Sequence, residues 1–174
     1  MLLQEALNPP SPKRKDYRFR DITFREGDRV MQTRNNYDIN WFRDADGKDG
    51  YGIFNGDIGV INKIDVRNAV MEITFDDRVV NYDLTLLDDL EHAYAITVHK
   101  SQGSEYGVVI MPMCSAAPML HTRNLLYTAV TRAQRMAVLV GREEIMKRMV
   151  DNNCQSMRYT GLAARLKGDG ERVR

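Results

Sequence analysis

The chain is 174 residues long, 43% hydrophobic and 28% charged, enough for one ordinary domain or two small ones with a packed core. Its formal net charge of +1 excludes a grossly basic nucleic-acid binder but leaves room for a local basic groove, since recognition depends on where charges sit. No apolar run approaches the roughly 20 residues that span a bilayer, no secretory signal opens the chain, and Cys114 and Cys154 match no metal-ligand spacing; a cytoplasmic protein with reduced thiols, no membrane partner and no metal of its own is expected.

In chain order, Leu2–Leu7 reads as the end of a helix stopped at Asn8-Pro9-Pro10, because proline cannot continue a helix interior. Residues 11–26 are polar and crowd Lys13, Arg14, Lys15, Arg18, Arg20 and Arg25 together. Residues 1–26 are therefore expected to be a helix end followed by a basic linker, either a solvated tether or a phosphate-contacting arm. Residues 27–90 read as short strands. Gly59–Ile64 is one, Asp65–Asn68 a turn, and Val70–Phe75 alternates, with Met71, Ile73 and Phe75 on one face. Asp76-Asp77 then joins it to Val79–Tyr82 as a hairpin. Strands at this spacing predict a small five-stranded SH3-like barrel. Asp44-Ala45-Asp46-Gly47 has a superficial likeness to a calcium loop, but Lys48 occupies a ligand position and no Glu closes it, so a hairpin tip is expected.

From residue 91 to 154 the pattern changes. Gly107–Met113 and Met136–Gly141 are continuous apolar runs, as expected of strands buried on both faces of a parallel sheet. Leu125, Leu126, Ala129, Val130 and Ala133 recur between them at helical spacing, and Ile145, Met146, Met149 and Val150 do so afterwards. Strand, helix, strand, helix predicts a parallel α/β unit. Residues 155–174 read as a polar, frayed tail.

Three clusters suggest chemistry. In Thr97–Glu105, a helix over 94–102 would put Thr97, Lys100 and Ser101 on one face, two hydroxyls and an ammonium suited to phosphate oxygens. Gly103 would let the chain pass close to a ligand, and Glu105 could accept from a ribose hydroxyl. In Asn124–Arg135, Arg132 ends an apolar helix that leads into a strand. It is expected near the C-terminal edge of the parallel sheet, either facing a bound phosphate or simply complementing the helix dipole. In the third cluster, Arg34-Asn35-Asn36-Tyr37 offers a charge, two amides and a ring for single-stranded nucleic acid, or a plain loop ending a strand. Phe54-Asn55-Gly56-Asp57-Ile58-Gly59 reads as turn chemistry.

The strings VMQTRNNYD, FNGDIG, AYAITVHKSQGSE and LLYTAVTRA, in this order and spacing, resemble the RecD/TraA-type DNA helicases of superfamily 1B; Pif-type helicases carry similar strings. The resemblance covers nearly residues 1–150. It implies an α/β architecture, a partial RecA-like parallel-sheet lobe (the second motor domain, residues 91–154) into which a small SH3-like β-barrel (residues 27–90) is inserted. It also implies that HKSQG lies in motif V and TAVTRA in motif VI, with Thr97, His99, Lys100 and Ser101 along the DNA strand and Arg34, Asn35 and Asn36 adding DNA contacts. Gly103, Ser104 and Glu105 would approach ATP, and Arg132 would be the catalytic arginine finger.

What the family has and this sequence lacks shapes the expectation. No G-x-x-x-x-G-K-[ST] loop occurs, since the Gly47-Lys48 pair is followed by Asp49, and no Walker B carboxylate stands on a buried strand. The opening helix also lacks the strand that precedes it in the family, so the chain is expected to be an excised part of a longer protein. ATP and Mg²⁺ would serve the full-length parent, with none bound to this part, which alone is expected to be inactive. Expected partners are single-stranded DNA, the N-terminal ATPase lobe of the same parent and other recombination subunits. Two alternatives stay open: the helicase portion of a conjugative relaxase, and a free-standing, non-catalytic DNA-binding module.

Overall fold

A computed structural model describes residues 2–115 and 118–153. The polar tail and Cys154 lie outside the described residues. The chain divides into two compact units, residues 1–101 and 102–174, which are taken in turn.

The first unit opens with α1 (Leu2–Leu7), which ends ahead of the two prolines as expected. Its leucines are exposed; the residue it buries is Gln4, and Asn8 just beyond it is buried too. Residues expected to be a linker instead form a hairpin, β1 (Asp16–Phe19) and β2 (Ile22–Arg25). The reason is that Arg25 is not a surface charge. Its guanidinium is buried, bonds Asp16 at 2.8 Å through both Nε and Nη2, and donates from Nη1 to the Asn8 carbonyl at 2.7 Å. Phe24 beside it is fully buried, and Tyr17 and Phe19 pack on the same core.

Seven further strands form one antiparallel sheet: β3 (Arg29–Gln32), β4 (Asn36–Arg43), β5 (Lys48–Ile53), β6 (Ile58–Asp65), β7 (Val70–Phe75), β8 (Arg78–Asp83) and β9 (Leu90–His92). Their order is β5-β4-β8-β7-β6-β3-β9. The alternation read in residues 70–82 is realised: Met71, Ile73 and Phe75 are fully buried, and β7 pairs β8 from Val70↔Asp83 to Phe75↔Arg78. Asp44–Gly47 is the tip of the β4–β5 hairpin, with Asp46 ion-paired to Lys48 at 2.9 Å. A closed five-stranded barrel is not what forms. The seven strands make an open sheet, because β9 has three residues and pairs β3, and no ladder among the described residues joins it to β5.

Asp28, in the turn before β3, is 0% exposed. Its carboxylate accepts from Gln4 Nε2 at 2.7 Å, Asn8 Nδ2 at 2.7 Å, the Arg25 amide at 2.8 Å and the Tyr94 hydroxyl at 2.7 Å. His92 Nε2 lies 3.0 Å away. Burial alone would push its pKa up, but the hydrogen bonds from His92, Tyr94, Asn8 and the Arg25 amide outweigh that and hold it below the usual carboxylate range.

The second unit is the expected parallel α/β piece: β10 (Tyr106–Met113), α2 (Arg123–Val130), β11 (Ala133–Gly141) and α3 (Glu143–Asp151), with β10 and β11 parallel from Val108↔Met136 to Met113↔Gly141. Thr122 caps α2 by accepting from the Leu125 amide at 3.3 Å. Met113, Ile145 and Met149 form the core, with Leu125, Leu126 and Met146 against it. Burial on both faces of the strands is not met: Val108, Ile110, Met136 and Val140 are exposed, since the sheet has two strands and two short helices to cover it. Gly141 is irreplaceable where it stands. Its φ is +143°, and a Cβ there would lie 2.2 Å from the Met113 carbonyl oxygen. No helix among the described residues is long and apolar enough to cross a membrane.

The Asp28 cluster makes a stability prediction. Its pKa is depressed by folding, so its contribution is present above the unfolded value of about 3.9 and is lost as pH falls through the lower folded value. Denaturant melts of Asp28→Asn should show a loss of at least about 3 kcal/mol at pH 7, from donors left unsatisfied, and a smaller further loss on acidification than wild type. Equal acid sensitivity in the two proteins would contradict this account.

Candidate nucleic-acid interface and arginine-bearing edge

In the first unit, the two strings of the third cluster come together. The Gln32 amide donates to the Asp57 carbonyl at 2.9 Å, the Gly56 amide returns to the Gln32 carbonyl at 2.9 Å, and Asn36 pairs with Ile53. Gly56 has φ +97°, which lets residues 54–57 fold back on the strand. Asn35 Oδ1 accepts from the Asn55 amide at 2.9 Å, and Asn35 Nδ2 reaches the Tyr37 hydroxyl at 3.3 Å. Tyr37 and Phe54 meet edge to face, centroids 5.6 Å apart. Arg34 lies 3.4 Å from Asp89 with its side chain 77% exposed. Asn36 turns away: its Oδ1 accepts from the Asp38 amide, and it lines an open cleft of about 650 Å³ with Asp38, Asn40, Trp41, Asp49 and Asp83. Three carboxylates make that cleft a poor phosphate site. Phe54 was hidden in a string that read as turn chemistry; the signal available was an aromatic next to Asn-Gly, where a turn forces side chains outward.

Residues 97–101 form a single turn, not the helix expected over 94–102. The Ser101 amide bonds the Thr97 carbonyl at 3.1 Å, and side chains supply the other bonds: Thr97 Oγ1 accepts from the Lys100 amide at 3.2 Å and Ser101 Oγ donates to the Val98 carbonyl at 2.7 Å. Such local side-chain bonds compete with helix continuation. Thr97, His99 and Lys100 are exposed, with Lys100 Nζ 2.6 Å from Glu91 Oε2, whereas Ser101 is buried. The three polar residues placed on one face are therefore not presented together.

In the second unit, Gly103, Ser104 and Glu105 precede β10 and Arg132 precedes β11. The Tyr106 amide donates to the Arg132 carbonyl at 2.8 Å and Tyr106 pairs with Ala133, so both segments sit at one edge of the sheet. That is the N-terminal edge of the parallel strands, not the C-terminal edge expected. α2 carries the chain back to where β10 began, so the residue after it must lie there. Arg132 Nη1 reaches the Ser104 carbonyl at 3.3 Å, Nε the Thr128 carbonyl at 3.4 Å and Nη2 the Thr131 hydroxyl at 3.5 Å. Among the described residues no carboxylate lies within ion-pair distance of it. Glu105 Oε2 accepts from Gln134 Nε2 at 3.0 Å. Gly103 has φ +85° with nothing within 4 Å of where a Cβ would stand, so the turn needs glycine for its backbone alone. Among the described residues, no group of three or more His, Cys, Asp or Glu side chains is placed to hold a metal ion.

Comparison with known proteins adds family and fold. Residues 1–75 match the SH3 domain of ATP-dependent RecD-like DNA helicases, and residues 92–140 match the UvrD-like helicase C-terminal domain. The ATP-dependent RecD2 DNA helicase of Deinococcus radiodurans is 38% identical over 110 residues, 63% of this chain and 13% of that protein. The RecBCD enzyme subunit RecD of Mycolicibacterium smegmatis is 35% identical over 121 residues, 70% of this chain and 21% of that protein. The chain thus spans 13% and 21% of the length of these curated relatives. A structure described as DNA unwinding at forked dsDNA by two coordinating Pif1 helicases shares the fold with a TM-score of 0.50 at 18% identity, covering 99% of this chain and 43% of that one.

Gly103→Ala should cost about 1 kcal/mol in denaturant melts, through backbone strain alone. Gly103→Asn should cost less, because Asn tolerates positive φ. An Asn variant as unstable as the Ala variant would contradict the assignment.

Proposed function

We propose that this chain, which belongs to the RecD-like DNA helicases, is the C-terminal part of the motor of an ATP-dependent 5′-to-3′ DNA helicase. The observation that carries the reading is the Arg132 guanidinium, half-buried beside Ser104 at a sheet edge, with long hydrogen bonds and no carboxylate partner among the described residues. A structural arginine is normally paired, as Arg25 is with Asp16. One left with carbonyls at 3.3 and 3.4 Å is free to turn toward an anion.

In this reading Arg132 is the arginine finger, stabilising charge that develops on the transferred phosphoryl group. The donor set fits a nucleotide: a cation at Arg132 without a carboxylate partner among the described residues, backbone at Gly103 with open space around it, and the Glu105 carboxylate, oriented by Gln134, as acceptor for a sugar hydroxyl. ATP with Mg²⁺ would supply the phosphoryl group passed to water. The phosphate cradle and metal ligands would come from the N-terminal ATPase lobe of the parent, since the sequence has no G-x-x-x-x-G-K-[ST] loop.

On the DNA side, Thr97, His99 and Lys100 are exposed to reach a strand, and Arg34 and Asn35 stand on a second exposed face. Ser101 and Asn36 would act indirectly, by shaping the turn and the strand end. Single-stranded DNA and the ATPase lobe are the partners. The relative named as a RecBCD subunit extends these to other recombination subunits.

Arg132→Ala in the full-length parent should lower DNA-stimulated ATPase on the order of 10³-fold with an unchanged melting temperature. Arg132→Lys should restore little, because a point charge does not replace the planar fork. Near-normal turnover in the alanine variant would remove Arg132 from the role.

A further inference from the structure

We propose that Tyr37 and Phe54 form a stacking platform for a nucleobase of single-stranded DNA, with Arg34 set to meet a neighbouring phosphate. The proposal rests on the single-strand reading above and adds the chemical group recognised and the residues that recognise it.

Tyr37 is 66% exposed and Phe54 39% exposed, although both stand on a well-packed unit whose core residues are almost fully buried. What sets these two apart from other exposed rings is that they meet, making a small contiguous apolar patch rather than a lone exposed side chain. These two are also fixed in place. Their edge-to-face contact at 5.6 Å restrains both rings. The Tyr37 hydroxyl accepts from Asn35 Nδ2, whose Oδ1 in turn holds the Asn55 amide, so the amide between the two segments orients one ring and pins the backbone bearing the other. The Phe54 amide donates to Asp57 Oδ2 at 3.0 Å, and Asp57 is itself paired with Arg78 at 3.0 Å. Below the Phe54 ring stands Gly52, where any Cβ would lie 2.8 Å from the ring's Cζ; the absence of a side chain is what seats the ring.

A rigid, exposed aromatic surface pays little ordering entropy on binding, and every base has a π-face to stack on it. The nearby Arg34 supplies the cation that a strand's backbone requires, and its pairing with Asp89 at 3.4 Å is loose and open to solvent. An aliphatic protein partner would favour a concave apolar surface; the mixture of rings, amides and a solvent-exposed, loosely paired guanidinium favours nucleobase and phosphate.

The test uses the 174-residue chain with two fluorescent probes of about 15 nucleotides, oligothymidylate and an abasic strand of equal length. Stacking predicts that wild type binds oligothymidylate roughly tenfold more tightly than the abasic strand. Tyr37→Ala should remove that preference while leaving abasic binding unchanged, Phe54→Leu should weaken it, and Tyr37→Phe should keep it. Arg34→Ala should weaken both probes alike and lower the salt slope by about 1. Retention of the base preference in both Tyr37→Ala and Phe54→Leu overturns the platform. Absence of binding to either probe by wild type overturns the single-strand reading beneath it, and the two failures are told apart by the wild-type result.

Discussion

A single buried carboxylate organises the first unit. Removing a charge from water costs several kcal/mol unless donors replace the solvent, and Asp28 is surrounded by Gln4, Asn8, the Arg25 amide, His92 and Tyr94. These come from α1, the β1–β2 hairpin, β9 and the segment after it. Satisfying one anion therefore fixes where three separate stretches of chain must lie. It explains why α1 buries Gln4 while its leucines face water. Tyr94 is held as a donor, its pKa pushed up to about 12 by burial and by Asp28.

The two kinds of charge in this chain are distinguished by their partners. Around Asp28 and Arg25 the hydrogen bonds run from 2.7 to 3.0 Å and the groups are buried. Arg132 has contacts of 3.3 to 3.5 Å and no carboxylate among the described residues, while Arg34 is mostly in solvent. Saturated charges build the scaffold. Unsaturated ones are available for chemistry or binding, and in each unit they lie beside a turn that glycine makes possible, Gly103 in one and Gly56 in the other.

Legibility in the sequence followed the range of the deciding interaction. The β7–β8 hairpin was readable because alternation and the Asp76-Asp77 turn are local, and the parallel strand–helix–strand–helix piece because its periods are. The β1–β2 hairpin was not, since what turns a run of arginines into structure is the contact of Arg25 with Asp16 and Asn8, residues nine and more positions away. The turn at 97–101 does not follow helical periodicity because one backbone bond closes it and the Thr97 and Ser101 hydroxyls take up neighbouring backbone groups that a helix would have used. For the proposed sites, motif strings point to Arg34, Asn35 and Arg132 as candidates. They did not locate Phe54 as a partner of Tyr37, a pairing that exists only once β4 and the 54–57 turn are folded together. Arg132 stands at the N-terminal rather than the expected C-terminal edge of the parallel strands for a topological reason: a crossover helix returns the chain to the start of the next strand.

The open seven-stranded sheet has a consequence for self-association. An unclosed sheet ends in strands with spare backbone donors and acceptors, which can template pairing between copies. Here one border strand, β9, is three residues long, too short for a stable intermolecular ladder. The other, β5, begins Lys48-Asp49-Gly50, placing opposite charges and a weak strand former at its exposed margin. Both borders are thus poor templates, and the unit can keep its sheet open without inviting edge-to-edge aggregation.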